Sequence, residues 1–320
     1  MKYAWIEQHR DSYSVTLMCQ LLGVSRSGVY AARVRPAPAR AQTDAQLIDE
    51  IRRRQRKHRG CYGRRRMRRE VSAALGRPVN EKRVGRLMRE HDLQSRKRRR
   101  FRVVTTDSKH GHAVAPNVLA RDFAATAPNQ KWLADLTYVP TAEGWLYLAL
   151  ILDLFSRKFI GWAMSDSMAQ DLTLAALAMA LGWRDPPDGW VHHSDRGSQY
   201  AAHDYRNVLA ARGVTVSISR AGDCWDNDVS VQAHVSATNV KARSAGRSHN
   251  APMARANGTV KVECVHGVEF RTRTDAAQAI VEYLGHDDTE RLQSSLGYLT
   301  PSEFERRRRA AHERRATAAQ

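Results

Sequence analysis

Two aspartates, Asp135 and Asp195, are the side chains whose surroundings in the sequence most clearly point to chemistry. Asp135 interrupts an apolar run at 132–138, where a carboxylate is costly to bury unless a partner or a metal ion binds it. Asp195 follows another apolar stretch and precedes Gly197, which permits a tight turn, and Ser198, which can cap a helix. Alone, each aspartate is more often a cap or turn residue. Together they predict a magnesium or manganese site acting on a phosphodiester, because carboxylates on neighbouring strands can hold the ions that this chemistry uses.

The elements around the aspartates predict a mixed α/β sheet. Apolar stretches bounded by turn residues predict strands at 132–139, 145–154, 158–164, 190–193 and 214–218, and helical periodicity predicts helices at 172–181 and 200–211. Short turns join the first three strands into an antiparallel meander. The order βββαβαβ, followed by a helix, is typical of a ribonuclease-H-like sheet. It places Asp135 within the first strand and Asp195 directly after the fourth.

The net charge of +19 lies entirely in the first third of the chain. Residues 1–102 contain 28 Lys and Arg against 9 Asp and Glu, whereas the remaining 218 residues carry 24 of each kind. So large an excess over so long a segment favours a polyanion as the partner over a merely solvated basic surface. We therefore expect double-stranded DNA to bind to the N-terminal third.

The basic third is predicted to be helical. Residues 13–33 are predicted to form two short helices around Gly23, similar to a helix-turn-helix corner. A helix at 44–57 and a helical pair within 63–93 follow, and Asn80 is the predicted cap of the last helix. The candidate DNA-binding residues lie on that helix and on the basic tail behind it: Lys82, Arg83, Arg86, Arg89, Arg96, Lys97, Arg98, Arg99 and Arg100.

These patterns divide the chain into five parts. They are a helix-turn-helix-like segment at 1–35, a basic helical DNA-binding domain at 43–102, a linker at 103–124, a catalytic core at 125–305 and a basic tail at 306–320. No long apolar run predicts a membrane span, and the first residues lack the apolar segment of a signal peptide. The four cysteines form no CxxC pair, so reduced thiols in the cytoplasm are expected and a zinc site is not.

Several ordered motifs resemble those of one protein family. They are Gly-Val-Ser-Arg-Ser-Gly at 23–28, Tyr-Gly-Arg-Arg at 62–65, the stretches 132–138, 145–162 and 193–200, Gly-Asp-Cys-Trp-Asp-Asn at 222–227 and Ser-Ser-Leu-Gly-Tyr-Leu-Thr-Pro at 294–301. By these motifs the chain resembles the OrfB-type transposases of the bacterial insertion-sequence family three, relatives of retroviral integrases. The resemblance implies a ribonuclease-H-like integrase core with two aspartates and a glutamate, a magnesium or manganese ion, and DNA strand cleavage and joining at terminal inverted repeats. Asp135 and Asp195 match the two aspartates.

The third acidic residue departs from this family pattern. The implied glutamate falls at position 231, and Val231 stands there. Residues 229–260 contain no Leu, Ile, Phe, Tyr, Trp or carboxylate, so the segment has little to bury and is predicted to be an inserted or frameshifted loop. Glu263 is the next carboxylate after Asp228. It is a doubtful substitute, because it reaches the aspartates only if the segment folds back, and activity is therefore predicted to be weak or absent.

Two functions remain open from the sequence. The first is a transposase, active or impaired, that binds the element's terminal repeats and target DNA. The second is a catalytically dead DNA-binding protein that occupies the element's ends and needs no divalent ion. A transcription regulator leaves Asp135, Asp195 and the meander unexplained, and a generic ribonuclease H leaves the basic N-terminal third unexplained. The resemblance further implies a homo-oligomer in a synaptic complex and an upstream helix-turn-helix partner protein.

Overall fold

The computed structural model describes residues 2–34, 39–96, 115–120, 122–195, 197–219 and 251–318. Several of the predictions made above therefore lie outside the described residues. They concern Val231, the part of 229–260 that precedes residue 251, and four of the DNA-binding candidates, Lys97, Arg98, Arg99 and Arg100. In the described ranges, no helix combines the length and the apolar character that crossing a membrane requires.

Six helices build the N-terminal part of the protein over the described ranges 2–34 and 39–96. They are α1 (Lys2–Gln8), α2 (Val15–Leu22), α3 (Arg26–Val34), α4 (Ala39–Lys57), α5 (Arg64–Ala74) and α6 (Glu81–Glu90). The first three pack around Ile6, Met18, Cys19 and Val29, and the next three around Ile51, Met67, Val71 and Val84. The predicted cap at Asn80 is present, since its side chain accepts from the Lys82 N–H, and the Ser25 hydroxyl likewise accepts from the Gly28 N–H. The predicted cap at Ser198 is wrong, because Ser198 is the first residue of its helix and Gly197 precedes it as the N-cap. Helix α1 was not predicted.

A five-stranded sheet forms the centre of the remaining chain. Its strands are β1 (Lys131–Thr141), β2 (Gly144–Asp153), β3 (Phe159–Ser165), β4 (Val191–Ser194) and β5 (Thr215–Ile218), in the order β3-β2-β1-β4-β5. β1, β2 and β3 are antiparallel, whereas β1 and β4, and β4 and β5, are parallel. The prediction of a helical N-terminal region followed by a ribonuclease-H-like mixed sheet is confirmed.

Helices cover both faces of this sheet. Helices α7 (Gln170–Arg184), α8 (Ser198–Ala201) and α9 (His203–Ala210) pack on the face that contains Trp132 and Ala134. Helices α10 (Ala251–Val260) and α11 (Arg273–Thr289) pack on the opposite face, around Leu133, Leu148 and Leu150. Because side chains alternate along a strand, Asp135 shares the α10 face with Leu133. A last helix, α12 (Pro301–Ala318), follows α11.

Three segments differ from the sequence-based predictions. Residues 251–260, predicted as part of a loop, form α10, because Met253 and Val260 lie seven residues apart on one helical face and are almost completely buried by the core. Part of the predicted linker joins the core, since Leu119 is buried and its N–H donates to the Ser217 hydroxyl. The predicted basic tail is helical through residue 318, as the continuation of α12.

Gly161 in β3 allows the sheet to approach α7 closely. A methyl group at this position would overlap the Ala176 carbonyl oxygen and come 2.8 Å from the Ala180 Cβ. We therefore expect Gly161→Ala to lower the free energy of unfolding by about 1–3 kcal/mol, as overpacked cores do. The matched control is Gly182→Ala in α7, where an added Cβ meets no atom within 4 Å and should stabilise by up to about 1 kcal/mol through helix propensity. Urea denaturation of both variants checks this, and an unchanged midpoint for Gly161→Ala would contradict it.

Candidate active site

The structure brings Asp135, within β1, next to Asp195, directly after the end of β4. β1 and β4 run parallel, and the last pair in their register is Ala134 with Ser194. Asp135 and Asp195 are the residues that directly follow this pair in the sequence, and neighbouring strands lie about 4.8 Å apart. Both carboxylates are buried, with relative exposures of 7% and 8%. The two acids therefore lie on adjacent strands, and a shared cation stays a prediction.

Hydrogen bonds hold the two carboxylates in place. Asp135 accepts from the Leu136 N–H through Oδ1 at 2.9 Å and from the Asn257 amide nitrogen through Oδ2 at 2.6 Å. Asp195 Oδ1 accepts from the Gly197 N–H at 3.0 Å, which fixes the turn before α8. The sequence had marked Gly197 for that turn. Both acids are thus oriented by the backbone before any ligand binds.

Burial and like charge make this pair electrostatically unfavourable. Burial raises the pKa of Asp135 to about 7, and the adjacent Asp195 adds to the rise. The Leu136 N–H, the Asn257 amide and the positive charge of Lys261 oppose it. A bound cation stabilises two buried acids on adjacent strands, because it favours the charged form of both.

Asn257 is the site residue that sequence reasoning missed. It lies on α10, within the segment that was predicted to be a loop, and is 6% exposed. The available signal was Pro252 near the start of α10, because proline is favoured in the first turn of a helix. In that segment, however, few apolar residues identify the buried face, so Asn257 could not be assigned to it.

Glu263 is not brought to the aspartates. It lies on a π-helical turn after α10, and Arg291 donates to both of its carboxylate oxygens, at 2.7 and 2.9 Å. The Tyr283 hydroxyl donates to it at 3.1 Å, and Arg66 of α5 lies 3.8 Å away. Such a bidentate guanidinium neutralises the carboxylate. Within the described ranges, no group of three or more Asp, Glu, His or Cys side chains is placed to hold a metal ion.

The DNA-binding candidates divide into two groups. Lys82, Arg89 and Arg96 are exposed at the surface of α6 and of the segment after it. Arg83 and Arg86 instead donate to Asp44 of α4, at 2.6 and 2.7 Å, and these bonds lower the pKa of Asp44. These two arginines therefore link α6 to α4, and their part in DNA binding stays a prediction. The sequence does not reveal this contact, because Asp44 lies 39 residues away from Arg83.

Comparison with protein families identifies both parts of the fold. An integrase core domain family matches residues 125–224, and a second integrase core domain family matches residues 257–308. An HTH-like domain family matches residues 41–101. The two core matches enclose the sheet and Asn257, and the third coincides with the three-helix unit of α4, α5 and α6.

Known proteins resemble the chain over most of its length. It is 41% identical to the insertion element IS600 uncharacterized 31 kDa protein of Shigella sonnei, over 90% of this chain and 97% of that protein. It is 36% identical to the transposase InsF for insertion sequence IS3A of Escherichia coli K12, over 95% of this chain and 98% of that protein.

Two solved structures are also similar. The catalytic core domain of HTLV-2 integrase in complex with magnesium aligns with a TM-score of 0.39 and 13% identity, over 57% of this chain and 99% of that one. A simian T-cell lymphotropic virus intasome, in complex with the PP2A regulatory subunit B56 gamma, aligns with a TM-score of 0.42 and 11% identity, over 74% of this chain and 70% of that one. The family assignment rests on the sequence relatives and on the domain matches: the chain belongs to the IS3-type insertion-sequence transposases, with an HTH-like domain and an integrase core.

Proposed function

We propose that this protein binds the terminal repeats of an insertion element and cleaves and joins DNA strands at Asp135 and Asp195, with magnesium or manganese as cofactor. The adjacent burial of these two acids, one within β1 and one directly after the parallel strand β4, carries the proposal. Membership of a transposase family supplies the substrate class, which is double-stranded element ends and target DNA.

The residues present fit a hard divalent cation. Their ligand atoms are carboxylate oxygens, which magnesium and manganese prefer, and the site needs positive charge to offset two buried acids. When bound, such an ion stabilises the charge on phosphoryl oxygens and lowers the pKa of an attacking water or 3′-hydroxyl. Asp135 and Asp195 would hold the ion, and their backbone hydrogen bonds keep the carboxylates in one orientation.

We further propose that this copy is impaired. In the described part of the chain, no third carboxylate joins the aspartates, and Glu263 is held by Arg291. Loss of one acid weakens cation binding and loosens the geometry of the reacting groups, and small misplacements can cost about 100-fold in rate. A catalytically dead protein that occupies element ends is the second candidate, favoured by the same observation.

Assembly follows from the chemistry proposed. Joining two element ends requires two sets of DNA contacts, so we propose a homo-oligomeric synaptic complex that forms in the cytoplasm. An upstream helix-turn-helix protein is the further partner that the family suggests. The basic N-terminal third supports the DNA contacts, since the net positive charge of the chain is confined to it.

Surface cations of α6 should control DNA affinity independently of folding. We expect the double variant Lys82→Gln/Arg89→Gln to bind element-end DNA more weakly and to reduce the slope of log affinity against log salt by about 2, as loss of two phosphate contacts does. Its melting temperature should stay that of the parent, because both side chains are exposed. Arg83→Gln is the matched control on the same helix, and it should lower the melting temperature by breaking the bond to Asp44. Fluorescence anisotropy across a salt series measures both effects, and an unchanged slope would exclude α6 from the interface.

Cleavage assays separate the two candidate functions. The full chain is incubated with labelled element-end DNA and either magnesium or manganese, beside Asp135→Asn and Asp195→Asn. Weak cleavage that both substitutions abolish supports an impaired transposase. Tight binding to the ends without cleavage in either metal supports the occluding protein, and cleavage that persists in both variants overturns the proposed site.

A further inference from the structure

One buried polar atom beside the aspartates, the amide oxygen Oδ1 of Asn257, has no hydrogen-bond partner among the described residues. Asn257 is 6% exposed, so water does not cover this atom from outside. A buried polar atom without a partner destabilises a fold. Such an atom next to a buried acid pair indicates a polar occupant that completes the site.

Asn257 contacts the acid pair through its other amide atom. Its Nδ2 donates to Asp135 Oδ2 at 2.6 Å, which places the amide group directly beside that carboxylate. The unpartnered oxygen belongs to the same amide group, so it lies beside the negative charge of Asp135 as well.

A hydrated divalent cation satisfies all of these groups at once. It neutralises the acid pair, and the amide oxygen can bind it directly or accept a hydrogen bond from one of its waters. Asn side-chain oxygens are ordinary ligands of hard cations, and magnesium usually keeps several waters. A neutral polar molecule would fill the space but would leave the repulsion between the acids.

We infer that Asn257 is the third residue of the metal site, and this inference rests on the proposed function. Asn257 places a neutral amide from α10 beside Asp135, where a third carboxylate would otherwise complete the site. Its nitrogen orients Asp135, and its oxygen binds the cation or a water on it. The site then carries two negative charges instead of three. It binds magnesium or manganese more weakly than a three-carboxylate site does, because affinity increases with the charge of the ligand set.

Metal titration of the full chain tests this inference without any DNA. Calorimetry with MgCl₂, and Mn²⁺ titration followed by electron paramagnetic resonance, give the affinity of the parent and each variant. We expect Asn257→Ala to weaken binding by about 10- to 100-fold, the range found when supporting residues of metal sites are removed. Asn207→Ala is the matched control, since Asn207 is exposed on α9 and contacts His203. It should leave the affinity unchanged.

Asn257→Asp keeps the shape of the side chain, so it tests the inference even if the alanine variant does not fold. It should bind both ions at least tenfold more tightly than the parent. Parent-like or tighter affinity in Asn257→Ala overturns the inference, as does weaker affinity in Asn257→Asp. If Asp135→Asn loses metal binding while Asn257→Ala keeps it, the two-aspartate site stands and only the role of Asn257 fails. If the parent shows no binding that depends on Asp135, the inference and the proposed metal chemistry both fall.

Discussion

Replacing Asp135 with asparagine should stabilise the metal-free protein at neutral and higher pH while it abolishes metal binding. The pKa of Asp135 lies at about 7 in the fold, against 3.8 for the ordinary side chain, because of burial and the adjacent Asp195. A raised pKa means that the fold favours the protonated acid. The stability that the protonated Asp135 contributes is therefore complete below about pH 4 and is lost as the pH rises through about 7.

The size of this effect follows from the pKa shift. Each pKa unit corresponds to 1.36 kcal/mol, so at pH 8 the asparagine variant should be more stable than the parent by roughly 2–4 kcal/mol. Between pH 4 and 7 the parent should lose stability relative to the variant, and below pH 4 the two curves should converge.

Thermal denaturation across this pH range, in EDTA and in about 10 mM MgCl₂, measures the difference in stability between the parent and the variant. In magnesium the parent should gain stability and the variant should not, since a ligand stabilises only the state that binds it. Asp11→Asn is the matched control, because the Asp11 side chain is 92% exposed, and it should change neither curve. Destabilisation of Asp135→Asn at pH 8 in EDTA would show that the buried acid is compensated by interactions other than a cation.

The sequence was sufficient to locate Asp135 and Asp195 because their positions depend on local patterns. Alternation along β1 sets the face of Asp135, and the turn at Gly197 sets Asp195 at the end of β4. Short connections between apolar strands determine the order of the meander. Such features depend on residues close together in the chain, so the sheet and its two acids were predictable from the sequence.

Features that depend on distant contacts were not predictable in this way. Helix α10 has only a few apolar residues, and it becomes helical and buried by packing on a sheet formed about a hundred residues earlier. Asn257 therefore has no local pattern that marks it as a site residue. The contacts of Arg83 and Glu263 were not predictable for the same reason. Arg83 binds Asp44 and Glu263 binds Arg291, and each partner lies far away in the sequence.

The largest gain of function is expected from Asn257→Asp. This change adds a third carboxylate beside Asp135 without altering side-chain shape, so it restores charge to the cation site at the place where the structure offers an amide. We expect the cleavage rate on element-end DNA to increase by at least about tenfold, which corresponds to about 1.4 kcal/mol of transition-state stabilisation. The measurement is single-turnover cleavage at saturating Mn²⁺, so that the rate reports chemistry and not metal affinity.

The same substitution should destabilise the metal-free fold, because it removes the donor to Asp135 and places a third acid beside two buried ones. Its melting temperature in EDTA should therefore fall below that of the parent, and magnesium should raise it by more than it raises the parent's. Glu263→Gln separates this site from the other candidate acid: it weakens the partner of buried Arg291 and should lower stability, yet leave metal affinity unchanged. If Asn257→Asp cleaves no faster than the parent while Glu263→Gln abolishes activity, the third acid of this transposase is Glu263. The described geometry would then have to rearrange when DNA binds.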